Sequence, residues 1–359
     1  MFIKTLLLKD FRNYQQISLS PQNGLNILYG KNAQGKTNLV EAVYYLSTGK
    51  SFRTNRDVQL IRFDAESARI SAAYQTLSGG NTIEAVLKKD GTKSFNINAM
   101  PIKKLGHLFG HFSCVAFTPE DIKAVKETPA LRRRLIDLEI AKIRPAYFFD
   151  LKSYYQVLSE KNALLKKRIG EDEKRLISVY NEQMAVHAKT IIRLRTAFLE
   201  ELKEAFNQTY RLISGEDKTA GIIYRASVEP ENIENAFLSK AGSLMSREIE
   251  YRQSLFGPHK EDFVFMLDEH DLKLYGSQGQ QRTVMLAYKL AVLNMVKERT
   301  GESPVLILDD VFSELDFSRQ NRLTELLAAS QVFITTAVPI NIKQTYHAFV
   351  VENGQIKSG

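Results

Sequence analysis

The sequence predicts an α/β fold interrupted by an arm of two long helices. An apolar strand, a glycine-containing loop and a helix follow one another in residues 25–46. A second apolar run, residues 305–308, leads into two adjacent aspartates near the other end of the chain. Between these segments lies a long stretch of helical patterning without proline. Strands that end in polar loops and alternate with helices are typical of α/β proteins, and the long helices indicate an insertion.

The first of these segments contains a phosphate-binding loop. Residues Gly30–Thr37, GKNAQGKT, fit the pattern G-x-x-x-x-G-K-[ST] in full. The apolar strand Leu25–Tyr29 precedes them, and apolar residues at helical spacing follow them, at Leu39, Val43, Tyr44 and Leu46. A strand before the loop and a helix after it are the context that this motif requires. The alternative is a glycine turn before an ordinary helix, and the flanking elements favour the phosphate-binding loop.

The residues of this loop suit a nucleoside triphosphate. Glycines let the backbone turn its N–H groups inward, and the N-terminus of the next helix adds partial positive charge, so phosphate oxygens are cradled. Lys36 is expected to reach the β- and γ-phosphates, and the Thr37 hydroxyl is expected to ligate Mg²⁺. The loop therefore predicts a nucleoside triphosphate and Mg²⁺ as ligands, and the resemblance described below implies that the nucleotide is ATP. The predicted nucleotide contacts of the loop are Gly30, Lys31, Asn32, Ala33, Gln34, Gly35, Lys36, Thr37 and Asn38.

The charge balance of the chain favours a polyanionic partner. Among 359 residues, 49 are lysine or arginine and 41 are aspartate or glutamate, which gives a net charge of +8. Such an excess is typical of proteins that bind nucleic acid or an anionic membrane surface. The alternative is a basic soluble protein that binds neither.

Membrane insertion and secretion are not expected. No apolar run approaches the roughly 18–20 residues that span a bilayer. The N-terminal residues, MFIKTLLLKDF, are interrupted by charges and lack a small-residue cleavage site, so they are interpreted as a strand and not as a signal peptide. Cys114 is the only cysteine, which excludes an intrachain disulfide and suits a reducing compartment. We therefore expect a cytoplasmic protein.

The first hundred residues are predicted to mix α and β structure. Phe2–Leu8 and Ile17–Leu19 have the character of strands, and the helix after the loop is expected to end near Thr48–Gly49. Three further runs are predicted to be antiparallel strands: Ala68–Tyr74, Thr82–Leu87 and Ser94–Asn98. Asp90-Gly91, between the second and third runs, is a hairpin signal.

A helical arm is predicted for residues 145–214. No proline occurs between Pro145 and Gly215, and Gly170 is the only glycine there. Apolar residues recur at helical spacing on both sides of Ile169–Asp172, which predicts two antiparallel helices that turn at this point. The chain is accordingly divided into an N-terminal α/β lobe, residues 1–115, a helical lobe with the arm, residues 116–255, and a C-terminal α/β half, residues 256–359.

A second chemical region lies near the C-terminus. The turn Leu274–Thr283, LYGSQGQQRT, precedes a predicted helix, Thr283–Arg299. The run Val305–Leu308 then leads into Asp309 and Asp310, as in a Walker B strand that is buried on both faces. Asp309 would hold Mg²⁺, and Asp310 would face the γ-phosphate and its attacking water. Taken alone, a buried strand that ends in a capping aspartate is the alternative.

Together these motifs resemble the ABC ATPase superfamily. LYGSQGQQ is similar to its signature motif, LILDD to its Walker B motif and SELD to its D-loop. The order of the motifs, with a helical insertion between them, is similar to SMC-type heads. More narrowly, most of the chain resembles the bacterial RecF family, through the segments LKDFRNY, GKNAQGKTN, GKSFRTNRD, FTPEDIKAVKETPALRRRLID, GSQGQQRT and LILDDVFSELD. The resemblance implies an ABC-type, SMC-like P-loop ATPase head, α/β with a mixed sheet, plus an α-helical arm domain.

The resemblance also implies roles for residues that the motifs alone leave open. Ser277 and Gly279 would be the signature serine and glycine, and Asp316 the D-loop aspartate. Arg12 and Asn13 would lie near the nucleotide, with a solvated strand end as the alternative. The implied site comprises catalytic residues Lys36, Ser277 and Asp310; nucleotide-binding residues beyond the loop, Arg12, Asn13, Ser277, Gly279, Gln280 and Asp316; and metal ligands Thr37 and Asp309.

Two departures from the wider superfamily predict slow turnover. The residue after the Walker B aspartate is usually glutamate, and here it is the shorter Asp310. A switch histidine is expected after the next strand, and Thr336 stands in its place. Both changes remove or displace groups that position the attacking water, so they affect hydrolysis and not nucleotide binding.

The resemblance implies a DNA-binding recombination mediator that dimerises on ATP. The expected ligand is DNA, double- and single-stranded, especially gapped DNA and its single-strand/double-strand junctions. The expected partners are RecR directly, and RecO and RecA in filament loading, in a nucleoid-associated setting without a membrane. Two rivals stay open: an ABC transporter motor, and a scaffold that uses ATP only to dimerise and does not bind DNA.

Several basic segments are candidates for phosphate contacts. Arg53 and Arg56 lie in a polar loop and could reach phosphates of ATP or DNA, with a plain surface loop as the alternative. Arg132-Arg133-Arg134 lies on a predicted helix, so the three side chains point in different directions. One or two of these three are expected to contact a phosphate backbone.

Overall fold

Strands dominate the first hundred residues and recur near the C-terminus. The computed structural model describes residues 1–314, 317–327, 330–338, 340 and 342–358. The strands are β1 Phe2–Phe11, β2 Tyr14–Leu19, β3 Leu25–Tyr29, β4 Ser67–Thr76, β5 Gly79–Lys88, β6 Lys93–Ile97, β7 Met100–Pro101, β8 Cys114–Phe117, β9 Ala220–Arg225, β10 Asp262–Leu267, β11 His270–Asp271, β12 Val305–Asp309, β13 Val332–Thr336, β14 Tyr346–Glu352 and β15 Gln355–Ser358.

Helices fill the middle of the chain. They are α1 Lys36–Thr48, α2 Pro119–Lys126, α3 Pro129–Ile143, α4 Pro145–Leu165, α5 Glu171–Ser214, α6 Ile233–Tyr251, α7 Leu272–Tyr275, α8 Gln278–Thr300 and α9 Phe317–Leu326. Single 3₁₀ turns occur at Asp57–Leu60, Leu105–Leu108 and Phe312–Glu314. Within the described residues, no helix combines the length and the apolar character needed to cross a membrane.

Most predicted elements are confirmed; β1, β2 and β5 extend beyond their predicted bounds, and the start of one helix is wrong by more. The strand before the glycine loop and the end of its helix, Thr48, match the prediction, and α4 and α5 are the two predicted arm helices. The helix predicted to begin at Thr283 begins at Gln278 instead. Ser277 caps this helix, because its hydroxyl accepts a hydrogen bond from the amide of Gln280 at 3.2 Å. The signature turn therefore contains the first turn of α8.

The described residues form two structural units. Unit 1 comprises Met1–Ile122, Gln208–Lys218 and Arg282–Gly359, and unit 2 comprises Lys123–Asn207 and Thr219–Gln281. The predicted division at residues 115 and 255 stays a prediction. Both units draw on separate stretches of the chain, so each depends on contacts between residues distant in sequence.

A mixed sheet in unit 1 brings the ends of three strands together. Its order is β15-β14-β3-β13-β12-β8, and β14, β3, β13, β12 and β8 run parallel. Apolar residues occupy both faces of β12 and β13, as expected for strands covered on both sides. The carboxyl ends of β3, β13 and β12 are adjacent, since Thr336 pairs with Tyr29 and Asp309 pairs with Thr335. Open α/β sheets bind ligands at this edge.

An antiparallel sheet forms the second layer of unit 1. Its order is β2-β1-β4-β5-β6-β7, and the predicted hairpin across Asp90-Gly91 joins β5 to β6. Alternate residues of β4 are buried, and the buried residues of β1 are all apolar, which gives the sheet one apolar face. Helix α1 contacts strands of both sheets, and their apolar residues form one core cluster. The glycine loop is therefore anchored at both ends, by β3 and by α1.

The arm helices of unit 2 pack antiparallel, as predicted. Lys161 Nζ donates to Asn181 Oδ1 at 2.6 Å, and His187 Nδ1 lies 3.0 Å from Asp150 Oδ1. Farther along α5, the fully buried guanidinium of Arg195 is bound by carboxylates of Asp137 and Glu261 at 2.9 and 2.7 Å. A buried guanidinium needs such paired carboxylates, so this network belongs to the core of the unit.

Two arginines of the predicted phosphate-contacting triplet are structural. Arg132 is buried and forms a double hydrogen bond with the carboxylate of Asp262, at 2.7 and 2.9 Å. The guanidinium of Arg133 donates to the backbone carbonyl of Glu261 at 2.6 Å. Arg132 is therefore held in the core of unit 2, whereas Arg133 is half-buried and Arg134 is exposed. The expectation that one or two of the three contact a phosphate backbone stays a prediction. Their helix packs on β10, so two of its three basic positions face the protein interior.

Candidate nucleotide-binding site

A cavity of about 330 Å³ lies at the carboxyl edge of the mixed sheet. The lining residues come from the glycine loop, the start of α1, the loop after α1 and the ends of β12 and β13. They are Asn32, Ala33, Gly35, Lys36, Thr37, Asn38, Arg53, Asp310 and Thr335. The structure thus brings the two predicted motifs, separated by more than half the chain, to one place in unit 1.

The ammonium group of Lys36 lies inside the curve of the loop. Its Nζ donates to the backbone carbonyls of Gly30 at 2.6 Å and Lys31 at 2.8 Å. Burial lowers the pKa of Lys36, and the carboxylates of Asp310 and Asp309 oppose this effect. An anion placed beside this ammonium would favour its charged form further.

Two glycines of the loop are required by close packing behind it. Gly35 has φ +118°, and a Cβ there would lie within 3 Å of the side chains of Asn13 and Tyr14. A Cβ on Gly30 would overlap the carbonyl oxygen of Val351. Asn13 also donates to the carbonyl of Gln34 at 3.0 Å. Asn13 thus supports the loop from behind, and its predicted place near the nucleotide stays a prediction.

Asp309 is bound by two threonine hydroxyls. Thr37 Oγ1 donates to Asp309 Oδ1 at 2.8 Å, and Thr335 Oγ1 donates to the same oxygen at 2.6 Å. The first of these bonds joins the glycine loop directly to the end of β12. Because the Thr37 hydroxyl donates its proton to Asp309, the lone pairs of its oxygen are available to a cation.

Asp310 has a left-handed backbone, with φ +55°. Asparagine and aspartate tolerate this conformation better than other residues with a side chain, because their short polar groups can form local hydrogen bonds. Asp310 Oδ1 accepts such a bond from the hydroxyl of Ser313 at 2.9 Å. The short side chain at this position therefore matches the turn that carries it. The carboxylate is exposed on the wall of the cavity.

The residues present fit a magnesium ion bound together with a nucleotide. Burial raises the pKa of Asp309, the hydrogen bonds from Thr335 and Thr37 lower it, and the charge of Asp310 raises it further. Two neighbouring carboxylates, one buried and one on the cavity wall, thus carry an electrostatic cost that a divalent cation would relieve. The described residues contain no cluster of three or more metal-binding side chains. Mg²⁺ at triphosphate sites needs no such cluster, because phosphate oxygens and waters complete its shell.

Arg12 lies beside the helix that follows the loop and pairs with a carboxylate, and its predicted place near the nucleotide stays a prediction. Its guanidinium donates twice to Glu41 on α1, at 2.9 and 2.8 Å, and Glu41 is fully buried. Arg53, left open between a site and a surface loop, lines the cavity. It donates to Asn38 Oδ1 at 2.7 Å and lies 3.7 Å from Glu41, with 41% of its side chain exposed.

The signature residues lie in unit 2, at the start of α8. Ser277 and Gln280 form a reciprocal cap, since the amide of Ser277 also donates to Gln280 Oε1 at 2.9 Å. A Cβ on Gly279 would meet no atom within 4 Å. Ser277 thus stands at a helix N-terminus, where backbone N–H groups favour anions. The predicted D-loop residue Asp316 lies outside the described residues.

Three residues of the site were missed from the sequence. Thr335 could have been considered because it is the next-to-last residue of the strand after the Walker B strand, but only the register shows that Thr335, and not Thr336, pairs with Asp309. Glu41 follows Thr37 by one helical turn, and a lone carboxylate on an apolar helix face was its signal. Arg282 lies in the signature segment itself, where burial lowers its pKa and the charge of Asp310 opposes the shift.

Comparisons with known proteins agree over the full chain. The RecF/RecN/SMC N terminal domain family matches residues 2–356. Proteins named DNA replication and repair protein RecF from Clostridium tetani and Clostridium novyi are each 38% identical to this chain, over 364 and 361 residues, and each alignment covers 99% of both sequences.

Solved structures give the same relationship. The recombination mediator protein RecF in the RecFOR pathway, described with ATP, matches with a TM-score of 0.92 at 35% identity, over 99% of this chain and 97% of that one. The Smc head domain from Pyrococcus furiosus, bound to the C-terminal domain of ScpA, matches with a TM-score of 0.57 at 17% identity, over 100% and 96%. The second match shows the shared fold alone. The chain therefore belongs to the RecF family, and its fold is that of an ABC-type, SMC-like P-loop ATPase head.

Proposed function

We propose that this chain is an ATP-dependent DNA-binding recombination mediator. One observation carries the proposal: Lys36, Thr37, Asp309 and Asp310 are gathered at one cavity in a chain 38% identical to named RecF proteins. A solved relative at 35% identity is described with ATP and as a recombination mediator. The residues and the family thus favour the same ligand and the same role.

The nucleotide would be held by the loop and the two motif residues beside it. Backbone N–H groups of residues 30–37 and the N-terminus of α1 surround the phosphates, and Lys36 exchanges its bonds to Gly30 and Lys31 for phosphate oxygens. Thr37 and Asp309 would hold Mg²⁺, which when bound neutralises phosphate charge. Arg53 would add a second cation at the rim of the cavity.

The signature residues would complete the site from a second copy of the chain. By resemblance to ABC-type heads, Ser277, Gly279, Gln280 and Asp316 of one subunit would face the bound nucleotide of its partner. Ser277 caps the N-terminus of α8, a position that favours the γ-phosphate. Such a pairing is two-fold symmetric and gives two shared sites. ATP would then drive dimerisation, because each half-site is incomplete alone.

Hydrolysis is proposed to be slow and to act as a release step. Asp310 occupies the place of the general base, yet its side chain is short and its turn is fixed by Ser313. A base must come within about 2.6–3.2 Å of the water oxygen, directly or through one bridging water. The hydroxyl of Thr336 is directed to the carbonyl of Val338 at 2.8 Å, so it does not supply the missing switch group. ATP would thus hold the dimer closed, and hydrolysis would open it.

The DNA ligand and the protein partners follow from the family. A net charge of +8 suits binding to the phosphate backbone of DNA. Because no recognition-helix motif is apparent in the sequence, we propose contacts with DNA phosphates and not readout of bases. The RecFOR pathway, named for the relative, supports RecR and RecO as partners. RecA loading at gapped DNA is proposed from the resemblance to the RecF family. We propose a cytoplasmic, nucleoid-associated setting.

Replacement of Lys36 tests the nucleotide site. Lys36→Ala removes the one ammonium group inside the loop, and a lost hydrogen bond to a charged group is worth roughly 1.5–3 kcal/mol, so ATP affinity should fall by about tenfold to a hundredfold. Calorimetric titration with ATP and Mg²⁺ measures this change. The same substitution at the exposed Lys88 should have no effect. Equal affinity in Lys36→Ala and the parent would remove the basis of the proposed site.

Salt dependence tests the DNA-binding proposal. Contacts with the phosphate backbone release counterions, so affinity for gapped DNA should fall steeply as salt rises and should depend little on sequence. ATP should strengthen binding, since a dimer presents two basic surfaces at once. Fluorescence anisotropy on two unrelated gapped sequences, with and without ATP, gives both results. A salt-insensitive complex, or one confined to a single sequence, would contradict the proposal.

Substitution of Asp310 tests the role of hydrolysis. Asp310→Asn keeps a residue that tolerates the left-handed turn and leaves Asp309 in place, so Mg-ATP binding should persist while hydrolysis is lost. The dimer should then stay longer on gapped DNA than the parental dimer. Asp268→Asn, at another left-handed aspartate, is the matched control and should behave like the parent. Parental ATP hydrolysis in Asp310→Asn would show that Asp310 is not the base.

A further inference from the structure

The hydroxyl of Thr335 contacts both Asp309, the last residue of β12, and Asp310, which follows it. Thr335 Oγ1 donates to Asp309 Oδ1 at 2.6 Å and accepts from the backbone N–H of Asp310 at 3.0 Å. The side chain is buried, and it lines the wall of the cavity that also holds Lys36 and Thr37. Thr335 belongs to none of the sequence motifs, so the motifs do not predict this double contact.

The direction of both hydrogen bonds is fixed by chemistry. A hydroxyl has one proton, and the backbone N–H of Asp310 can only donate, so Thr335 must accept from Asp310 and give its own proton to Asp309. Thr37 donates to the same carboxylate oxygen, so two hydroxyls hold one oxygen of Asp309. Rotation of the Asp309 carboxylate would break two hydrogen bonds at once.

The bond to the Asp310 amide also fixes the turn that follows β12. Asp309 pairs with Thr335 in the parallel ladder, and the chain then enters the left-handed conformation at Asp310. A side-chain oxygen of β13 therefore accepts the bond from the first residue beyond β12. Left-handed backbone is costly for a residue with a side chain and persists only where neighbouring contacts hold it. The hydroxyl of Thr335 is such a contact.

We propose that Thr335 is a positioning residue that locks the orientation of Asp309 and the turn of Asp310 together. This inference rests on the proposed nucleotide site and adds a residue outside the recognised motifs to it. The two carboxylates have different proposed tasks, metal binding and water activation, and one hydroxyl holds the carboxylate of Asp309 and the backbone turn of Asp310. Substitution of Thr335 should therefore affect metal-dependent nucleotide binding and hydrolysis at the same time.

The chain offers a matched control one residue away. Thr336 lies on the same strand and is equally buried, but its hydroxyl donates to the carbonyl of Val338 at 2.8 Å and accepts from the amide of Val338 at 3.2 Å. Thr336→Val thus removes the same group, from the same strand, without touching the aspartates. Thr335→Ser keeps the hydroxyl of interest and removes only a methyl group.

The experiment compares Thr335→Val, Thr335→Ser, Thr336→Val and the parent as full-length chains. Hydrogen–deuterium exchange of the nucleotide-free proteins reports the amide of Asp310, which should exchange faster in Thr335→Val alone. Calorimetry then measures ATP affinity in Mg²⁺ and in EDTA. Residues behind metal ligands typically contribute 10- to 100-fold to metal affinity, so Thr335→Val should lose about tenfold or more in Mg²⁺ and little in EDTA.

The outcomes separate this inference from the proposed function. Parental exchange at Asp310 in Thr335→Val, or parental affinity for Mg-ATP in that variant, would overturn the positioning role. An equal loss in Thr336→Val would also overturn it, since any buried hydroxyl of the strand would then serve. If the parent itself fails to bind ATP, the proposed function fails, and the exchange measurement still tests the lock on the turn.

Discussion

The hydrogen bond between Thr37 and Asp309 is the contact on which the nucleotide site depends. It joins the helix that follows the glycine loop to the strand that ends in two aspartates, across 272 positions of the sequence. The bond exists only because β3, β13 and β12 lie parallel and adjacent, with their carboxyl ends at one edge. The mixed sheet, the core around α1 and the position of Thr335 all serve this alignment.

The same alignment of strands brings charged groups of both signs into a confined space. Asp309 is buried, Asp310 is beside it, and the nearest ammonium group, Lys36, is held by backbone carbonyls and not by a carboxylate. Buried charges that are only partly compensated are costly, and a nucleotide with its divalent cation supplies both missing signs of charge. The site is thus arranged so that ligand binding relieves electrostatic cost in the protein. We propose this relief of electrostatic cost as the physical basis of an ATP-dependent switch in unit 1.

The sequence predicts those parts of the site whose structure is determined by residues close together in the chain. The strand Leu25–Tyr29 and the end of α1 follow from apolar spacing and from Gly49, which closes the helix in a left-handed conformation. Arg132 shows the limit: its sequence context is basic, but the carboxylate that binds it, Asp262, lies 130 positions away. The partners of Arg12 and Thr335 could not be predicted either, since tertiary pairing decides the first and sheet register decides the second. The early start of α8 had a local signal, the S-x-x-Q cap, that was not used.

The central claim is that two copies of the chain share each nucleotide, and one measurement tests it directly. Sedimentation velocity of the parent and of Ser277→Arg, with and without ATP and Mg²⁺, reports assembly. The account predicts an ATP-dependent dimer for the parent and a monomer for Ser277→Arg, because an arginine there would meet Lys36 and Mg²⁺ of the partner. The same substitution at the exposed Ser243 should leave the dimer intact. A Ser277→Arg dimer that forms like the parental one would contradict the shared site.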